Sequence, residues 1–320
     1  MNLRTPICEM LDIEYPVFLA GMGAVAYAAV CAAVSEAGGF GTLGMAGSSV
    51  DGIRDEMRKV RKQTDKPFGV DLLAALPESI EAAIDIIIDE GANSFISGLG
   101  VPGPIVSRCH EAGLQVVSMC GKVEHALAAE AAGVDIVVAQ GTEAGGHTGR
   151  IAGLALIPQI VDAVDIPVIA AGSIVDGRGY VAALSLGAQG IWMGTRFIAS
   201  TEARAAQNYK QRLVEGKAAS TVITRCYSGK PMRVLDNAWV KDWESRSDEI
   251  EPFPKQSMLS YQAGAMNLTF DDYEEFEVEK NCAPAGQGVG GIDEVIPAGE
   301  IVRSIVAEAR ETIGNLHSLL

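Results

Sequence analysis

The sequence predicts an α/β chain: a TIM (β/α)8 barrel with an inserted lid subdomain ahead of a C-terminal helix. Three observations carry this. Short apolar runs alternate with amphipathic segments through the first 200 residues, and the runs are too apolar for a sheet with one wet face. A glycine follows the end of five helical segments, at Gly38, Gly91, Gly113, Gly133 and Gly187. Glycine-rich stretches then come after several different strands, as the C-terminal rim of a barrel requires. A doubly wound parallel sheet is the structural alternative.

Taken in order, the apolar runs place strands at 15–20, 40–44, 67–73, 94–97, 115–119, 135–140, 167–171 and 190–194. Helical periodicity fills the gaps at 26–36, 52–63, 79–90, 104–111, 123–132, 156–163 and 177–186. After Phe197 the chain turns more polar. It carries the acidic run from Asp271 to Glu277, read as a solvated helix face, and closes on a glycine-rich stretch from Ala283 to Gly291. A final amphipathic helix at 298–313 is expected to pack back on the barrel. The domain reading is therefore a barrel over 1–199 completed by 292–320, with a lid over 200–291.

Composition narrows the class. Hydrophobic residues make up 48% of the chain and aromatics only 6%, with 36 glycines, which suits an aliphatic α/β protein. A formal net charge of −16 argues against nucleic acid or an anionic membrane as partner. It also means that any phosphate must be held by local geometry. The six cysteines show no CxxC pair and read as reduced, buried thiols in a cytoplasmic protein. No apolar run reaches signal or transmembrane length, and no Cys/His spacing suggests a metal.

The most informative stretch is Ala139-Gln140-Gly141-Thr142-Glu143-Ala144-Gly145-Gly146-His147-Thr148-Gly149. It follows a buried-strand pattern, so it lies where a strand gives way to a rim loop. Glycines there let the backbone approach a ligand closely. An imidazole so framed suits a general base, with a pKa near its ordinary value serving physiological pH. His110, His125 and His317 read as structural or exposed. Two further strand ends, Ala171-Gly172-Ser173 and Met193-Gly194-Thr195, fall where barrels bind phosphate through backbone N–H groups. The ribityl phosphate of FMN fits such a pocket without a lysine. Gly21-Met22-Gly23 lacks the third glycine and the acidic partner of a dinucleotide fingerprint.

Together, residues 19–23, 67–70, 141–149, 169–179, 193–197 and Ala285-Gly286-Gln287 resemble the nitronate monooxygenase (2-nitropropane dioxygenase-like) family of FMN-dependent barrels over essentially the whole chain. The Glu143–His147 stretch is shared with the related FMN-dependent enoyl thioester reductases of fatty-acid synthesis. The resemblance implies FMN bound by Gly21, Met22, Gly23, Asp71, Gln140, Gly145, Gly146, Ala171, Gly172, Ser173, Met193, Gly194, Thr195 and Gln287, with His147 catalytic. Two positions depart from the family pattern: Asp71 stands where an amide is usual, and Ser173 where glycine is usual. An ionised Asp71 could only accept hydrogen bonds, so beside a flavin it would oppose the anionic reduced ring or stay protonated.

Three functional readings follow. In the first, a nitronate, nitroalkane or similar carbon acid is oxidised over FMN, with O2 as electron acceptor. In the second, NAD(P)H reduces the flavin, which reduces an enoyl thioester or quinone; oxygenation of a coenzyme A thioester belongs beside it. In the third, the barrel is non-catalytic, and His147 and its glycines then have no use. A homodimer is compatible with all three.

Overall fold

The computed structural model describes residues 3–73, 77–98, 105–266 and 276–319. Eight parallel strands form the barrel: β1 (Val17–Leu19), β2 (Gly41–Gly44), β3 (Phe68–Leu73), β4 (Ser94–Gly98), β5 (Gln115–Cys120), β6 (Ile136–Gln140), β8 (Val168–Ala171) and β9 (Gly190–Met193). Their order around the sheet is β1-β9-β8-β6-β5-β4-β3-β2. A parallel bridge between Phe18 and Phe40 brings the ends together, with Leu19 N–H donating to Phe40 O at 3.0 Å and Phe40 N–H to Val17 O at 2.9 Å. All eight predicted strands are present, each within two residues of its expected bounds. The five helix-ending glycines all adopt positive φ, between +72° and +91°.

Helix starts differ where a side chain supplies a cap that periodicity does not reveal. The second predicted helix begins at Val50 because Ser49 Oγ accepts from Gly52 N–H at 3.1 Å. The helix predicted from 156 begins at Gly153, whose N–H is taken by the Glu143 carboxylate at 2.9 Å. The last helix runs on from Ala298 to His317, so His317 closes a helix. The acidic positions 271–275 lie outside the described residues.

The barrel interior is filled by Phe18, Phe40, Ile96, Val117, Ile136, Val138, Ile169, Ala171 and Trp192, and plugged from below by Ile7, Cys8, Leu11 and Ile13. Phe18 anchors this layer, tilted against Phe40 at 5.5 Å between ring centroids and stacked with Trp192 at 6.2 Å. This packed floor leaves the C-terminal mouth as the place for a ligand.

After β9 the chain builds a small sheet, β10 (Thr221–Thr224) and β11 (Met232–Leu235), which recruits a third strand from the barrel's own rim. That strand, β7 (Gly146–His147), pairs antiparallel with β11, Met232 opposite His147 and Arg233 opposite Gly146. This small sheet thus draws on residues outside the 200–291 segment. Apolar side chains such as Ile198, Tyr209, Leu213, Leu235, Ala285 and Val289 form a second core under it. The six cysteines are free thiols, and among the described residues no helix is long and apolar enough to cross a membrane.

Candidate active site

The mouth is built from the ends of the strands. The loop after β1, holding Gly21, Met22 and Gly23, folds down against β2 and β3. A Cβ at Gly21 would stand 2.2 Å from Asp71 Cβ, and one at Gly44 would stand 2.3 Å from the Met22 backbone. Asp71 is the register partner of Ile96, whose side chain fills the barrel, so Asp71 also faces inward. Gln140 ends β6 and donates from Nε2 to His147 O at 2.6 Å, tying the loop back to its own strand.

At the seventh and eighth barrel strands, Ala171 and Met193 end buried runs and Gly172-Ser173 and Gly194-Thr195 begin the loops. Gly172 and Ser173 have φ of +117° and +54°. The N–H groups of Gly172, Ser173, Gly194 and Thr195 have no acceptor among the described residues. Gly194 also precedes a short helix, Thr195–Ile198. Two adjacent loops thus present four half-buried amides without a protein acceptor, donors of the kind that bind an anion.

The Ser173 hydroxyl is engaged elsewhere. It donates to Glu143 O at 3.0 Å and accepts from Gly288 N–H at 2.8 Å. Thr195 Oγ1 likewise accepts from Gly286 N–H at 2.9 Å, and Gln287 N–H donates to Glu143 O at 2.9 Å. The 285–288 turn is therefore stitched to three rim loops. Gln287 joins the site through its backbone, while its side chain is exposed.

His147 stands on β7 at the seam between rim and lid. Its Nε2 lies 2.8 Å from Ser228 Oγ, which also accepts Lys230 N–H at 3.2 Å and lies 3.2 Å from Lys230 O. Oγ carries one hydrogen, so two arrangements exist. Donated to Lys230 O, it leaves Oγ to accept from Nε2–H and Nδ1 bare. Donated to Nε2, it leaves Nδ1 carrying the proton. Burial, reinforced by the Lys230 charge, lowers the imidazole pKa to about 4. The expectation of an unperturbed imidazole is therefore corrected: burial disfavours the cation, and His147 is neutral through the physiological range.

Several residues that matter here carry no motif. Ser228, buried in the lid, is one. Arg233, also buried, is another: it donates from Nε to Thr142 O at 3.1 Å and from Nη1 to Thr221 Oγ1 at 3.1 Å, fixing β11 against the loop that bears His147. Glu143 caps a helix. The turn signature Ser228-Gly229-Lys230-Pro231 is visible in the sequence, but its distance from His147 in the chain hides the contact. The other histidines stay outside the site, with His110 bound to Asp135 at 2.9 Å and His125 and His317 exposed.

A closed parallel barrel with unpaired amides at its last two loops and a histidine at its mouth has the form of a barrel enzyme. The comparisons make it particular. The family model for nitronate monooxygenase matches residues 4–308, and the chain belongs to that family of oxidoreductases. A probable nitronate monooxygenase of Staphylococcus saprophyticus is 34% identical, covering 81% of this chain and 86% of that protein. A (3aS,4S,5R,7aS)-5-hydroxy-7a-methyl-1-oxo-octahydro-1H-indene-4-carboxyl-CoA dehydrogenase of Mycobacterium tuberculosis is 40% identical over 77% of this chain and 70% of its own. Among solved structures, FabK of Thermotoga maritima superposes with a TM-score of 0.91 at 34% identity, covering 99% of both chains. A nitroalkane oxidase of Streptomyces ansochromogenes gives 0.86 at 29% identity, over 98% of this chain and 100% of that one.

Proposed function

We propose that FMN sits in the barrel mouth and that the enzyme oxidises nitronates, or the conjugate bases of similar carbon acids, with O2. The unpaired amides of Gly172, Ser173, Gly194 and Thr195 suit the phosphate. The inward ends of the strands, with Met22, Asp71 and Gln140, suit the ring; Gly145 lets the 285–286 turn pack close, and Gly146, with nothing where a Cβ would stand, leaves the side toward His147 open. When bound, FMN supplies the two-electron redox chemistry and the reaction with O2.

One observation carries the choice of an anion: His147 Nε2 lies 2.8 Å from Ser228 Oγ, which itself accepts the N–H of the cationic residue Lys230 at 3.2 Å, and burial keeps the imidazole neutral. A base with a pKa of about 4 takes a proton from a neutral carbon acid with little driving force. The same imidazole, with its proton on Nδ1 and Ser228 donating to Nε2, is a ready donor to an anion. Lys230 then supplies local attraction that the acidic molecule as a whole does not. His147 orients and hydrogen-bonds a substrate that arrives already ionised.

The test compares a nitronate with its parent nitroalkane at neutral pH. Wild type should prefer the nitronate in kcat/KM by at least about tenfold. His147→Ala should keep its flavin and lose about 10²-fold on the nitronate, within the usual worth of a positioned catalytic group. Equal turnover of both forms by wild type would remove the argument.

A second reading has its own support. Besides the CoA dehydrogenase and FabK likenesses, a cleft of about 470 Å³ opens beside the site, lined by Thr142, Gly149, Arg150, Ile223, Arg225 and Pro231. Two exposed arginines there suit the phosphates of a thioester carrier. Anaerobic mixing separates the readings. Rapid flavin bleaching by a nitronate supports the first, and bleaching by NAD(P)H followed by thioester turnover supports the second.

A further inference from the structure

Asp71 is an acid in an environment with nothing to neutralise its charge. It faces the barrel interior from the fourth position of β3. Its side chain is wedged against Gly21, where a Cβ would meet Oδ2 at 2.3 Å, and lies beside Gly98, where a Cβ would stand 3.3 Å from Oδ1. No described residue hydrogen-bonds its carboxyl. Its neighbours are Gly44 at the end of β2, Met45 just beyond it, Ile96 and Gly98 on β4, and Gly21 in the loop after β1. None carries an ionisable side chain, and none occurs in the adjoining stretches 74–76 and 99–104. His147, the other titratable group assigned to the mouth, is neutral. Burial alone raises the Asp71 carboxyl well above the usual carboxylate range.

We propose that Asp71 is held as a neutral carboxylic acid at physiological pH and donates its O–H to the ligand in the barrel mouth, as the acid that complements His147. Asp71 is half-buried, so little water and no cation solvate an unpaired carboxylate among these glycines and aliphatic side chains, and the proton is favoured. The protonated group is a donor of nearly the same shape as an amide. With FMN as the ligand, which rests on the reading above, that donor favours the reduced ring, whose heteroatoms gain electron density.

Three proteins decide it: wild type, Asp71→Asn, which keeps a neutral donor, and Asp71→Leu, which keeps bulk without one. The first readout needs no flavin. Infrared difference spectra of the apo proteins at pH 7, wild type minus Asp71→Asn, should contain the carbonyl band of a protonated carboxylic acid. A carboxylate band in its place overturns the proposal. The second readout is the ratio of dissociation constants for oxidised and reduced FMN. Asp71→Asn should leave that ratio within about twofold of wild type. Asp71→Leu should lose about three- to tenfold of the preference for reduced flavin, the worth of one hydrogen bond. If Asp71→Asn instead strengthens the preference for reduced FMN tenfold or more, the native group is ionised and the proposal is wrong. Failure of all three proteins to bind FMN would sink the flavin reading, while the infrared result would still decide the state of Asp71.

Discussion

At the scale of single residues, His147 and Asp71 give opposite pH signatures. The folded-state pKa of His147 lies below its ordinary 6.5, at about 4, so the unfolded chain binds the extra proton first. Its contribution to stability is fully present above about pH 6.5 and is lost as pH falls toward 4. For Asp71 the folded value is raised above 3.8, so stability is greatest below that value and declines as pH climbs through the raised one. Urea unfolding followed across pH should therefore find His147→Gln less acid-sensitive than wild type between 6.5 and 4. Asp71→Asn should gain on wild type as the solution becomes alkaline. Ser228→Ala frees Nε2, and the pKa of the His147 imidazole, followed by NMR titration, should then move up from about 4 toward its ordinary value while flavin content stays the same.

At the scale of elements, the barrel strands were legible and the strand under the histidine was not. Residues 136–140 or 168–171 declare themselves locally, because four or five buried aliphatic residues in a row fit little else. β7 has two residues, Gly146 and His147, and becomes a strand only by pairing with Met232 and Arg233 some 85 positions on. The proposed anion cradle was half legible: the glycines at 172 and 194 mark the loops, whereas the bonds that occupy the Ser173 hydroxyl come from Glu143 and the 285–288 turn. Ser173 also holds φ at +54°, a costly conformation for any residue with a Cβ. Ser173→Ala keeps that strain and leaves Gly288 N–H without its acceptor, while Glu143 O keeps Gln287 N–H, so it should cost about 1–3 kcal/mol in urea unfolding. Ser173→Gly loses the same bonds but relieves the backbone, and should cost about 1 kcal/mol less. At Gly194 an added Cβ meets Met22 Sδ at 3.2 Å, a flexible neighbour able to move. Gly194→Val should therefore fold, with a side chain crowding the cradle, and purify colourless; a yellow variant would place the phosphate elsewhere.

At the scale of the whole molecule, the last helix completes the barrel wall. Ile301, Val302, Ile305, Val306 and Ala309 are buried on the face of this helix, which packs against the helices Ala28–Glu36 and Gly177–Ser185. Glu308 also accepts Gly177 N–H at 2.8 Å, capping the helix that follows the cradle. Burying four large aliphatic side chains is worth roughly 6–12 kcal/mol, comparable with the entire stability of a typical domain. A chain ending at residue 297 should accordingly be insoluble or unfolded by circular dichroism. A truncated chain that is folded and yellow would show that the helix is an accessory. The amphipathic pattern of this segment revealed that it packs; the contact with Gly177 depended on three-dimensional closure.

The pairing of β7 with β11 also bears on how such an enzyme can be altered. His147 sits in the rim loop after a barrel strand, yet its backbone register and its Ser228 partner both come from the segment that follows β9. Exchanging that segment for a relative's, to admit a different substrate, replaces half of what holds the imidazole. A chimera made at the obvious borders thus inherits a histidine in a foreign setting, and selectivity and turnover will change together. Engineers seeking one without the other must carry Met232, Arg233 and Ser228 across the graft unchanged.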